Sequence, residues 1–101
     1  MMPKPKQFTI MAVIFANGLP HPFAGWYVKS FDFDAYGGQG DGVFTKNRDE
    51  AIKFDSWDAA FMFWRTQSKV KPLREDGKPN KPLTCTTVEI TAEDVAFNYQ
   101  P

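Results

Sequence analysis

The chain predicts a small α+β domain arranged as a two-layer sandwich, with an antiparallel sheet of about four strands and one main helix over residues 57–67 packed on one face. Three observations carry that prediction. Apolar and β-branched runs at 8–16, 25–34, 43–46 and 83–90 have strand composition and are separated by turn chemistry. The segment Asp55 to Gln67 instead repeats its apolar residues at helical spacing. Finally, 101 residues with 43 % hydrophobic and 16 % aromatic content, ten Phe among them, suit one domain with one modest core in which each buried ring supplies much of the apolar area.

Residues 1–6 read as a flexible tail. Phe8 to Ala16 is a nearly continuous apolar run, suited to a strand covered on both faces. Behind Lys4 and Lys6 it imitates the apolar segment of a signal peptide, but the turn Asn17-Gly-Leu-Pro20 follows and no small-x-small site follows cleanly. A strand is the expectation. Gly25 to Asp34 alternates, with Trp26, Val28 and Ser30 on one side and Tyr27, Lys29, Phe31 and Phe33 on the other. Gly37 to Gly42 reads as a flexible connection to a short strand at Val43–Lys46, which makes residues 26–46 a long-looped hairpin. Asn47-Arg-Asp-Glu50 resembles a capping box opening a short turn, with Phe54 as a plug between that turn and the main helix.

In the main helix a turn of about 100° per residue places Trp57, Ala60, Phe61 and Trp64 on one face, Phe63 at its margin, and Asp58, Met62, Arg65 and Thr66 opposite. That aromatic face is expected to be buried. Asp55 reads as the N-cap, and Asp58 and Arg65 suit the two ends of the helix dipole. Pro72, Gly77, Pro79 and Pro82 make 68–82 an extended loop. A strand over 83–90 then holds Cys85 as a small buried residue, and Thr91-Ala-Glu-Asp94 reads as a capping box starting a short terminal helix with Val95 and Phe97.

Twelve basic residues balance twelve acidic ones, which removes the strong global field of a non-specific DNA-binding protein. One cysteine excludes an intrachain disulfide, so nothing argues for an oxidising compartment and a cytoplasmic location is expected. No apolar stretch approaches the ~20 residues of a membrane span.

Chemistry has few places to reside. Asp32, Asp34 and Gly37 stand at the first, third and sixth positions of a calcium loop, but Tyr36 and Val43 occupy the fifth and twelfth, where oxygen ligands are needed. The glycine run lacks the Gly-Lys-Ser/Thr ending of a phosphate loop. His21 sits between two prolines without a partner in motif spacing, and Cys85 in a threonine-rich strand reads as a small hydrophobe rather than a nucleophile. The expectation is no enzymatic activity, no cofactor and no metal.

Binding readings rest on local charge. Asp32, Phe33, Asp34, Tyr36 and Asp41 form an acidic hairpin tip with aromatic anchors, suited to a basic groove on a partner protein. Lys69, Lys71, Arg74, Lys78 and Lys81, interleaved with proline, support a competing nucleic-acid reading in which Trp26, Tyr27 or Phe31 stacks on bases. Solvated loops are the plain alternative for both.

The order Phe44-Thr45, Asp49, Ala51, Phe54-Asp-Ser56 and Ala59-Ala60 before an aromatic helix end resembles small bacteriophage and prophage accessory proteins, and Gln67–Arg74 with Asp76–Leu83 adds to the likeness. The resemblance covers roughly half the chain and brings no active site. It implies a stoichiometric inhibitor of host machinery, anti-CRISPR proteins being examples, in the cytoplasm of a bacterial host with a host protein complex as partner. Nucleic acid stays as the alternative partner, and monomer and homodimer are both open, with Met62 as a candidate contact.

Overall fold

The computed structural model describes residues 6–94. Strands β1 (Lys6–Phe15), β2 (Tyr27–Asp32), β3 (Asp41–Thr45) and β4 (Thr86–Asp94) form one antiparallel sheet in the order β3-β2-β1-β4. A tight turn, α1 (Ala35–Gly38), closes the β2–β3 hairpin, and the main helix α2 (Trp57–Trp64) packs on β1 and β4. Short 3-10 turns occupy Arg48–Glu50 and Pro82–Cys85. The expected two-layer α+β architecture is therefore the one found. No helix among the described residues is long and apolar enough to cross a membrane.

The apolar run in β1 becomes the central strand, and its ladder with β4 extends from Lys6–Asp94 to Phe15–Thr86 with one irregularity between Ala12 and Ile14. Cross-strand partners share a face. Phe8, Ile10 and Ala12 with Ala92, Ile90 and Val88 thus form the helix-facing rows, and the core closes around Ile10, Val28 and Ala60. On the opposite face the Thr9 and Thr91 hydroxyls lie 3.2 Å apart and Thr9 is fully buried.

β2 meets β1 only at Tyr27–Met11, and the chain after the Arg48–Glu50 turn fills the gap that opens beyond. Ile52 donates its N–H to the Val28 carbonyl at 3.1 Å, and Phe54 exchanges both backbone bonds with Phe8 at 2.8 and 2.9 Å. Phe54 plugs the core as its position suggests. The turn before it begins at Asn47, whose side chain accepts from Asp49 N–H at 2.9 Å. Glu50 reaches the Asn47 side-chain amide and the Thr45 hydroxyl, while the Asn47 N–H goes to Thr45 Oγ1.

Several expectations need correction. The register shifts between Val28 and Ser30, so Val28 and Phe31 both turn to the core and strict alternation fails there. The N-cap of α2 is Ser56, whose Oγ accepts from Ala59 N–H at 3.0 Å, not Asp55. The helix stops at Trp64, three residues short of Gln67, with Arg65 as C-cap and the Thr66 hydroxyl donating back to the Met62 carbonyl at 3.1 Å. Ala60 is sealed and Trp64 donates Nε1–H to the Thr86 carbonyl at 3.0 Å, but Trp57 stays 47 % exposed.

Thr91–Asp94 continue β4, because each finds a partner between Lys6 and Thr9 that holds it extended; the capping-box reading is overturned. Val95 and Phe97 of that expected helix lie outside the described residues, as does the tail before Lys6, which itself opens β1. Cys85 is exposed at the end of a 3-10 turn instead of buried in a strand: Pro82 starts the turn and Leu83 takes the core position.

Candidate interaction surfaces

Two parts of the surface combine charge or apolar area with a fixed geometry. The first is built by the hairpin tip and the 68–82 loop. One oxygen of Asp34 accepts from the Ser68 hydroxyl at 2.9 Å and from the backbone N–H groups of Lys69 and Val70 at 2.7 and 3.2 Å. The Lys69 amide, with the Ser68 hydroxyl and the Val70 amide after it, holds the Asp34 carboxyl below the usual carboxylate range. From the other side Asn80 donates its amide to the Gly38 carbonyl at 2.7 Å and the Lys71 carbonyl at 2.9 Å. Only glycine fits at Gly38: its φ is +94°, and a Cβ there would stand 2.6 Å from Lys71 Cβ. The glycine run is therefore a packed joint, not the flexible connection its composition suggests.

This joint sorts the sequence-derived candidates. Asp32 and Asp41 are exposed and directly opposite each other on β2 and β3, where like charges repel. Tyr36 is 73 % exposed and holds φ +52°, a left-handed conformation that is uncommon for a residue with a side chain. Phe33 turns inward, its ring 4.8 Å from Phe31 and 5.2 Å from Phe63. Asp34 is committed to the joint. The acidic tip therefore presents Asp32, Tyr36 and Asp41, while Phe33 and Asp34 hold it in place.

The basic loop is partly self-neutralised. Lys71 pairs with Glu75 at 2.9 Å and Arg74 with Asp76 at 2.8 Å. Lys69, Lys78 and Lys81 complete its positive set, and a cleft of about 320 Å³ lies beside Arg74 and Lys81, lined also in part by Gln39, Asn80 and Cys85. The rings proposed for base stacking are divided: Lys46 lies over Trp26 at 5.0 Å, Arg48 over Tyr27 at 5.8 Å, and Phe31 packs against the core. Sequence reasoning treats the acidic tip and the basic loop as rivals. The fold makes them one surface.

The second surface escaped the sequence reading. Trp57 stacks on Phe61 at 5.0 Å between centroids, and together with Trp64 they overhang Thr87, Val88 and Ile90 of β4, enclosing an open groove of about 250 Å³. Among the described residues β4 is an edge of the sheet. Helical spacing marked these rings as apolar, but which of them lie beyond the last strand depends on the sheet order.

His21 answers to neither surface. It is 8 % exposed, 4.5 Å from the ring of Phe15 and 5.4 Å from that of Phe44, and its Nδ1 accepts from Phe23 N–H at 3.0 Å. Burial pulls its pKa below the ordinary value, so the ring is a neutral part of an aromatic cluster. Among the described residues no group of three or more His, Cys, Asp or Glu side chains is placed to hold a metal ion. Comparison with protein-family models, curated proteins and solved structures finds no match to this chain.

Proposed function

We propose that this protein is a small non-enzymatic binding module that associates stoichiometrically with a host protein complex and modulates it, as phage accessory inhibitors of the anti-CRISPR kind do. The joint between Asp34 and residues 68–70 carries the reading. A binding surface made of loops normally loses affinity to the entropy of ordering them, and this one is ordered before any partner arrives. It leaves Asp32, Asp41 and the exposed Tyr36 ring outward, a combination of charge for steering and an aromatic anchor for the contact itself. A basic groove is the complementary partner surface.

The test is the triple variant Asp32→Ala, Tyr36→Ala, Asp41→Ala, which spares Asp34. Its thermal unfolding should match the parent while host proteins that co-purify with the parent are lost; undiminished co-purification would count against this surface. On this reading a labelled single-stranded DNA should show no binding at low salt, with Glu75 and Asp76 offsetting the charge of Lys71 and Arg74. Tight binding that falls steeply with added salt would replace this reading with the nucleic-acid one.

A further inference from the structure

We infer that the open edge of β4 and the overhanging flank of α2 form a two-fold interface with a second copy of this chain. The backbone fixes which groups are available. In an antiparallel sheet, consecutive residues of a strand direct their N–H and C=O groups to opposite sides. Phe8 spends both groups on Phe54, and Ala12 spends both on Gly25 and Trp26, so these residues face the β2 side. The alternate residues Gln7, Thr9 and Met11 face β4, where their partners are Glu93, Thr91 and Glu89. Val88, Ile90 and Ala92 must then direct their N–H and C=O groups to the open edge. The same alternation sends the Cys85 carbonyl inward to Ala16 N–H at 2.7 Å and the Thr86 carbonyl outward to Trp64.

Exposed edges are normally blunted by proline, lysine or brevity. β3, the other edge, has five residues and a glycine, but β4 has nine, with neither proline nor lysine. Side-chain chemistry selects the occupant. A second β4 running antiparallel and centred on Ile90 sets Val88 against Ala92 of the copy and Glu89 against its Thr91, so all three outward residues pair and no acid faces an acid. Centring on Glu89 or on Thr91 would oppose Glu89 to Glu89 or to Glu93. Only the register centred on Ile90 pairs all three outward residues with one another and also keeps the acids apart.

The helix agrees with the strand. A two-fold axis through Ile90 brings the second α2 alongside the first, antiparallel and on the same sheet face, so that Trp57 and Phe61 of each copy cover the open groove of the other. Just above that flank Asp58 lies in the first turn and Arg65 at the C-cap, its guanidinium 5.3 Å from the Phe61 ring. Antiparallel pairing places Asp58 of one copy beside Arg65 of the other, twice. Met62, 62 % exposed, stands next to this contact.

Sedimentation velocity over a concentration series tests the inference on the intact protein, with circular dichroism confirming that each variant is folded. The parent should pass from monomer to dimer. Ala92→Pro, which removes an outward N–H that an edge strand can spare, should stay monomeric. Asp58→Arg and Arg65→Asp should each weaken the dimer about tenfold, because each puts like charges at both symmetric contacts. An equimolar mixture of these two variants, or the double variant, should recover it. A parent that sediments as a monomer throughout its soluble range overturns the inference, as does a dimer indifferent to Ala92→Pro and to the charge reversals. Neither outcome bears on the loop surface, which lies elsewhere.

Discussion

The two flanks of α2 carry similar rings and have opposite surroundings. On one flank Phe63 lies 5.2 Å from both Phe33 and Phe54, with the β2–β3 hairpin and the 51–54 segment pressed against it. On the other, Trp57 and Phe61 stack on each other above β4, and Trp57 remains half open. Helical periodicity gives both sides the same apolar character. What separates them is the lateral order of the sheet: β2 and its hairpin stand beyond one side of the helix, and beyond β4 there is no further strand among the described residues. An aromatic ring is core or surface according to which strand is last, a property of topology that no local pattern states.

Substitutions along the helix can break this comparison. Phe63→Ala should have the largest effect, destabilising the fold by about 3 kcal/mol in urea unfolding, since it empties a site walled by two other rings. A loss comparable to that of an exposed residue would show the filled flank to be loose. Gly38→Ala attacks the same flank from a distance, because it forces a side chain into a left-handed position against Lys71 and loosens the hairpin that carries Phe33; about 2 kcal/mol is expected, read as a lower urea midpoint. Ser56→Ala removes the cap that starts both flanks together and should cost about 1 kcal/mol, seen as faster amide exchange at Ala59. Trp57→Ala should change monomer stability least, by under about 1 kcal/mol, while reducing self-association.

The pH dependence adds a control remote from the helix. Burial lowers the pKa of His21, so as acid is added the unfolded chain takes up its proton before the folded chain does. The stability held by the neutral ring is complete above the ordinary value of 6.5 and declines as pH falls from there through the folded value. Asp34, also lowered, adds its own loss at more acid pH as the Lys69, Ser68 and Val70 bonds are given up. The single histidine makes the check direct: its ring proton resonances should titrate below 6.5, and a midpoint at or above 6.5 would mean the cage is open.

Much of the fold was legible in the sequence. The strand runs, the role of Phe54 and the aromatic helix all follow from composition and period, since burial demands those patterns wherever the elements end up. Reading failed where a long-range contact outweighed a local signal. Thr91-Ala-Glu-Asp94 has a helix-start pattern, but four partners on β1 hold it extended. The extra residue between Val28 and Ser30 turns Phe31 inward, and the glycines at the hairpin tip pack against residues some thirty positions later. The acidic tip was visible as charge, yet which carboxylate serves the fold and which faces outward depends on Ser68 and Asn80, too far along the chain for any motif to connect.

The pairing of β1 with β4 also dictates a timetable. Thr9 and Thr91 stand 82 positions apart, so the innermost strand leaves the ribosome well before its longest neighbour and waits while the positions between them are synthesised. Closing so wide a loop is entropically late and slow. Until then the nascent chain carries an unshielded apolar ribbon, and chaperone capture during translation is the natural hazard and remedy of this architecture.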